Sequence, residues 1–252
     1  MRSIDLNADM GEYADERQQQ IEAALMPFLS SCSIACGGHA GDENTMRQTA
    51  RVARLHGVSV GAHPAYPDRE GFGRRPVDIA MNDLAHSIRL QIDALKSVLA
   101  TENIPMRHVK AHGALYNEAA KNQTLADLVV DASGEDAIIV GPSGSALENA
   151  AKKAGIPFAA EGFVDRLYQP DGSLTPRKRP GAVIENVEAR ADQARAIALG
   201  EPLQSSNGAV SIKADTLCIH SDSHGAVETA QAVRATLKEA GIGVKPFSAS
   251  PT

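Results

Sequence analysis

Hydrophobic and polar positions alternate in short stretches along this chain, and longer helical patterns separate those stretches. Ile4 and Leu6 face one way while Asp5, Asn7 and Asp9 face the other, as period-two alternation requires of a strand. Similar runs predict strands over 3–8, 32–36, 58–62, 107–111, 137–140, 157–160 and 216–219, with a short closing strand over 244–247. Between them, period-3.6 patterns predict helices over 15–29, 42–56, 118–132 and 145–154. Further helices are marked by Leu84, Ile88, Ile92, Leu95 and Leu99; by Ile184, Val187, Ala191, Ala194 and Ala198; and by Val227, Ala230, Val233 and Leu237. Asp42 is a suitable N-cap, and Gly57 and Gly200 are suitable terminators.

Strand and helix in strict succession predict a parallel sheet, because parallel neighbours need crossover helices. Seven such units in 252 residues fit one α/β domain, a parallel (β/α) barrel with seven strands and a distorted circuit. An open, doubly wound sheet is the alternative. No interdomain linker is visible across 1–252.

Ionisable residues collect on one strand face, at or beyond the C-terminal end. Asp9, His63, Lys110, His112, Glu161 and His220 all stand there, opposite Val60, Val109, Ala160 and Leu217. A barrel gathers such groups at the mouth formed by its strand ends, where barrel enzymes place their sites. His39, behind two glycines, and His63, held extended by Pro64, join that set. Asp222 stands between His220 and His224, where it can cap the last helix. His56, His86 and His108 read as structural, with His108 on the helix-facing side. Cys32 and Cys36 share a face with Ile34 and read as small core residues. Carboxylates and imidazoles in one mouth suit general acid–base work or a divalent metal, although the spacing matches no compact metal signature. Two basic loops, one with Arg69, Arg74 and Arg75, the other over 162–180 with Asp165, Arg166, Tyr168, Arg177, Lys178 and Arg179, can bind anions or close as a lid. There is no P-loop, and GPSGSA at 141–146 is a weak anion-binding signal.

Composition narrows the partners. Acidic residues outnumber basic ones, 31 to 25, and aromatics are only 4%, so neither a phosphate backbone nor stacked bases are expected. Three cysteines and a start, MRSIDLNADMGE, without a signal-peptide pattern lead us to expect a cytoplasmic protein with no membrane span. A homo-oligomer is compatible with these features.

Six motifs occur in order: DLNADMGE, SIACGGHAGD, GAHPAYPDREGFGRR, VKAHGALYN, AEGFVDRLYQPDGSLTPRKRPGAVI and LCIHSDSHGAV. Together they resemble the LamB/YcsF family of 5-oxoprolinase A subunits, over nearly the whole chain. The resemblance implies a distorted (β/α) barrel related to polysaccharide deacetylases. It implies ATP-dependent hydrolysis of 5-oxo-L-proline to L-glutamate, with magnesium as the usual counter-ion of ATP, in a complex with subunits B and C. Asp9, His39, His63, Lys110, His112, Glu161, Asp165, Arg166 and His220 fall in the shared motifs. Catalytic roles are expected for these except Arg166, which joins Asn7, Arg69, Arg74 and Tyr168 as substrate-binding candidates. The chain departs from the family's usual residues at Ala65, Ala111, Gly162 and Ser221, and no ionisable group is lost. Two other readings stay open: a metal-dependent amidohydrolase or carbohydrate deacetylase acting alone, and a non-catalytic lactam-binding subunit.

Overall fold

The computed structural model describes residues 2–205 and 207–247. In chain order the elements are β1 (Ser3–Met10), α1 (Glu16–Leu25), β2 (Ser31–Ala35), α2 (Glu43–His56), β3 (Ser59–His63), α3 (Met81–Thr101), β4 (Met106–Lys110), α4 (Gly113–Ala119) and α5 (Gln123–Ser133). There follow β5 (Ile138–Gly141), α6 (Ala146–Ala154), β6 (Phe158–Phe163), α7 (Val187–Leu199), β7 (Leu203–Ser205), β8 (Gly208–Val210), β9 (Thr216–Cys218), α8 (Ala226–Glu239) and β10 (Gly243–Val244).

Seven parallel strands close on themselves in the order β1-β2-β3-β4-β5-β6-β9, and β9 returns to β1. That last pairing, Asp5 with Thr216 through Asn7 with Cys218, rules out the open sheet. β10 lies beside the first residues of β1, pairing Ser3 with Gly243, so it extends the edge below the closure without entering the circuit. The helices pack outside. α3 buries Leu84, Ile88, Ile92, Leu95 and Leu99 as its spacing predicts. α2 begins where the Asp42 carboxylate accepts from the Thr45 amide and ends at left-handed Gly57.

The structure corrects the expected elements in three places. The helix expected over 118–132 is two helices, because Asn122 caps a new start by accepting from the Leu125 amide. An antiparallel hairpin, β7 with β8, precedes β9, with strands too short to show alternation. His108 does not face the helices. It shares parity with Lys110 and points into the barrel, where its Nε2 meets Ser33 Oγ at 3.1 Å. Gly61 makes room for it, since a Cβ there would run into the imidazole.

The barrel interior is polar. Asp5 accepts from the hydroxyls of Ser30, Ser31 and Thr216. Burial nevertheless dominates and pushes its carboxyl up to about 6. Small residues on β2 and β3, Ser33 and Gly61, leave the width that His108 fills. No helix among the described residues is long and apolar enough to cross a membrane.

Candidate active site

The C-terminal ends of the strands open into a cavity of about 650 Å³. Asp9, Glu12, His63, Lys110, His112, Tyr116 and His220 line it, beneath a rim that includes Arg74, Arg177 and Lys178.

Its floor is an ion cluster. The Lys110 ammonium lies 2.9 Å from Asp9 Oδ1 and 2.7 Å from Glu161 Oε1. Glu161 also accepts from Tyr116 Oη at 2.8 Å and from Asn7 Nδ2 at 3.1 Å. Lys110 is 2% exposed and Glu161 3%, so each needs the other's charge. Burial pulls the Lys110 ammonium down, but the charges of Asp9 and Glu161 outweigh it and hold it well above the usual lysine range. Burial likewise raises Asp9, and the charges of His63 and Lys110 overcome it, holding that carboxyl well below the usual range.

Beside the floor stands an imidazole cluster. Gly11, with φ of 73°, turns the chain after β1 and aims Glu12 inward. Glu22 of α1 holds that turn, accepting from the Gly11 amide at 2.6 Å and the Glu12 amide at 3.1 Å. Glu12 Oε1 lies 2.7 Å from His39 Nε2 and 3.2 Å from His112 Nδ1. His39 and His112 stack with parallel rings 3.7 Å apart, and His63 meets both edge-on. Burial pushes the His39 imidazole down to about 4, so it is neutral at physiological pH. Glu12, His39, His63 and His112 bring one donor atom each within 4.8 Å of one another, and this group could hold a metal ion.

The opposite wall carries His220. Its Nδ1–H donates to Asp165 at 2.8 and 2.9 Å, and its ring stacks on Phe163. Ser223 Oγ donates to the same carboxylate at 2.9 Å. Burial raises Asp165, but the charge of His220 and the bonds from His220 and Ser223 prevail, holding the carboxyl at about 2.

Asp9, His63, Lys110, His112, Arg74, Arg166 and His220 therefore reach the cavity, while Asn7, His39, Glu161 and Asp165 stand behind it as supports. Arg69 and Tyr168 are not brought to it. Arg69 donates to the carbonyls of Gly37 and Gly41 and fastens the His39 loop. Tyr168 Oη accepts from the Phe163 amide. The Arg166 guanidinium is occupied by the carbonyls of Thr175 and Ala182. The 162–180 loop is thus cross-braced at its base, and it presents Arg177 and Lys178 to the cavity. At 141–146 the helix start is capped from within, by Ser145 and by Glu148, which accepts from the Gly144 amide. Glu12 and Tyr116 join the cavity without standing among the expected site residues. In the sequence Glu12 is only an acid just past a strand-ending glycine, and Tyr116 sits on a helix, where strand alternation gives no signal.

Fold and site together define a closed parallel (β/α)-barrel protein with an ion-paired carboxylate and imidazole centre at the strand ends. The chain belongs to the LamB/YcsF family, whose model matches residues 4–252. It is 42% identical to the 5-oxoprolinase A subunit of Symbiobacterium thermophilum, over 97% of this chain and 95% of that one. It is 41% identical to the 5-oxoprolinase A subunit of Bordetella pertussis, over 96% and 98%. The crystal structure of a lactam utilization protein from Thermus thermophilus superposes with a TM-score of 0.89 at 37% identity, over 97% of this chain and all of that one.

Proposed function

We propose that this single-domain chain is the A subunit of a cytoplasmic, ATP-dependent 5-oxoprolinase, and that with subunits B and C it hydrolyses 5-oxo-L-proline to L-glutamate. The names of its relatives support the substrate and the multi-subunit setting. The observation that carries the catalytic reading is one cavity with ionised Asp9 and Lys110 on its floor, a carboxylate-held imidazole on its wall and cations on its rim.

The chemistry explains the need for ATP. A five-membered lactam is an unstrained amide with a poor leaving group. Transfer of the γ-phosphoryl group of ATP to its carbonyl oxygen, with ADP leaving, makes the ring carbon electrophilic. Water then adds to that carbon, and breaking the C–N bond gives an acyl phosphate and the free α-amine. A second water releases phosphate and leaves glutamate. Asp9, kept anionic by Lys110 and His63, suits the role of holding and orienting the attacking water. Lys110, kept cationic by its two carboxylates, suits charge building on oxygen in the transition state. His220, oriented through Nδ1 by Asp165, has Nε2 left to protonate the departing ring nitrogen. Arg74, Arg177 and Lys178 suit the substrate carboxylate and the phosphate.

The test is glutamate release from 5-oxoproline by this chain alone, and by this chain with subunits B and C, each with and without ATP. We expect turnover only with ATP and the full set. Ring opening by the single chain without ATP would replace this reading with a stand-alone amidohydrolase. Full turnover by the set carrying Asp9→Asn, Lys110→Met and His220→Asn variants of this chain would reduce it to a lactam-presenting subunit.

A further inference from the structure

Two imidazoles in the mouth face each other through the nitrogens that their backbone partners leave free. His63 Nδ1 lies 2.7 Å from the Lys110 carbonyl oxygen. A carbonyl only accepts, so Nδ1 carries a hydrogen, and Nε2 is the nitrogen left to hold either a second proton or a metal. His112 Nε2 lies 3.0 Å from the Phe72 carbonyl oxygen, which by the same reasoning leaves Nδ1 as its free nitrogen. Phe72 presents that carbonyl from a left-handed backbone with φ of 55°, a conformation costly for a residue with a Cβ. These two nitrogens are 3.0 Å apart. Glu12 Oε1 adds a third acceptor, 3.2 Å from His112 Nδ1 and 3.7 Å from His63 Nε2. Asp9 Oδ2 adds a fourth, 3.2 Å from His63 Nε2.

We infer that this is a metal site: His63 Nε2, His112 Nδ1 and Glu12 Oε1 hold one divalent first-row transition cation such as zinc, with Asp9 beside it. Donor spacing agrees with this. Metal–nitrogen bonds of about 2.1 Å at tetrahedral angles separate the donors by about 3.4 Å, and the three separations here bracket that value. Charge agrees as well. With both imidazoles acting as neutral ligands, Asp9, Glu12 and Glu161 against Lys110 leave two negative charges in a largely buried cluster, which a dication neutralises. The supports match those of metal centres, where ligating imidazoles donate their other N–H to a carbonyl and ligating carboxylates are themselves hydrogen-bonded. His39 supplies the latter, donating from Nε2 to Glu12 at 2.7 Å. His39 is not in the cavity lining, whereas Asp9, Glu12, His63 and His112 all are, so a cation held by them has an open side toward the cavity. Two imidazoles with carboxylate oxygen favour zinc, iron, cobalt, nickel or manganese over calcium or magnesium.

The inference does not rest on lactam hydrolysis, and its test needs no turnover. The full chain is stripped with chelator, confirmed folded by circular dichroism, and titrated with Zn²⁺ and separately with Co²⁺. We expect one equivalent to bind, with cobalt showing ligand-field bands of nitrogen and oxygen coordination. His63→Gln and His112→Gln should each weaken binding at least 100-fold. His39→Gln should weaken it by about 10–100-fold, as for other groups that hold a ligand. His56→Ala, on the exposed end of α2, should leave it unchanged. X-ray absorption of the loaded wild-type chain reads the ligands even if a variant misfolds, and two imidazoles are expected. Folded wild-type protein that binds no cation at submillimolar concentration, or that binds it without imidazole in the coordination shell, overturns the site. Either result leaves the lactam reading to be judged by its own assay.

Discussion

Replacing Lys110 by methionine tests the electrostatics of the barrel floor. Methionine keeps most of the volume and removes the charge, so Asp9 and Glu161 lose the ammonium that lies within 3 Å of both. Removing one partner of a buried ion pair costs about 3–5 kcal/mol, because the remaining charge stays desolvated. In a chain of this size 1 kcal/mol corresponds to roughly 2–4 °C, so the melting temperature should fall by roughly 6–20 °C. The loss should depend on pH with a definite sign. Asp9 is held low by His63 and Lys110, and without Lys110 its folded-state pKa moves up. The stability that this low pKa contributes is present above the ordinary carboxylate value of about 4 and is lost as pH falls below it, so what the substitution removes is present at neutral pH and fades in acid. The deficit should therefore be large at pH 7 and smaller at pH 3. Adding Glu161→Gln removes one stranded charge and should restore part of the stability, with a coupling of about 2–3 kcal/mol in the double-mutant cycle. The assay is urea unfolding of the wild type, both single variants and the double variant at the two pH values. Equal deficits at both pH values, together with strictly additive effects, would refute the claim that Lys110 acts through its charge.

Gly113→Ala places a Cβ 2.5 Å from the Gly73 carbonyl oxygen in a left-handed backbone, so denaturant unfolding should show a loss above the about 1–2 kcal/mol of that conformation alone. Arg166→Lys keeps the charge but cannot span the Thr175 and Ala182 carbonyls, so hydrogen exchange at the Leu167 and Thr175 amides, which tie the loop together, should quicken severalfold. Asp165 is held at about 2 against an ordinary 3.8, so its contribution of roughly 2 kcal/mol is present above pH 4 and lost as pH falls toward 2. Asp165→Asn should remove that acid-limb slope in unfolding measurements between pH 4 and 2.

Most of the strands and helices are legible because the local sequence encodes them. Alternation over Ile4 to Asp9 reflects one apolar and one polar face of β1, and Asp42 and Gly57 bracket α2 as caps do. Closure is less legible. β1 divides its outer edge between β10 at Ser3 and Ile4 and β9 at Asp5 to Asn7, and such a division depends on strand stagger across the whole barrel. The break between α4 and α5 is hidden because Asn122 sits inside an otherwise continuous helical pattern, and only its cap bond to Leu125 reveals it. His108 reads as helix-facing although its parity with Lys110 turns it inward; the glycine that admits it lies on another strand.

The site divides along the same physical line. Asp9, His63, Lys110 and Glu161 are legible because each continues the inward parity of a strand. Parity ends where the backbone leaves the extended region. At Gly11 the left-handed φ reverses the sense of the chain, so Glu12, which alternation would place with Met10 on the core side, points into the mouth beside Asp9. The reversal is held by Glu22 from α1, whose carboxyl burial pushes up to about 7 even while it accepts two amides. The arginines show the converse. Charge and loop position suggest anion forks at Arg69 and Arg166, but each guanidinium meets two backbone carbonyls. Backbone carbonyls leave no trace in sequence, so a loop that braces itself and a loop that binds a ligand read alike. Strand parity therefore identifies mouth residues up to the first left-handed glycine. Beyond it, the assignment of a charge needs the backbone path.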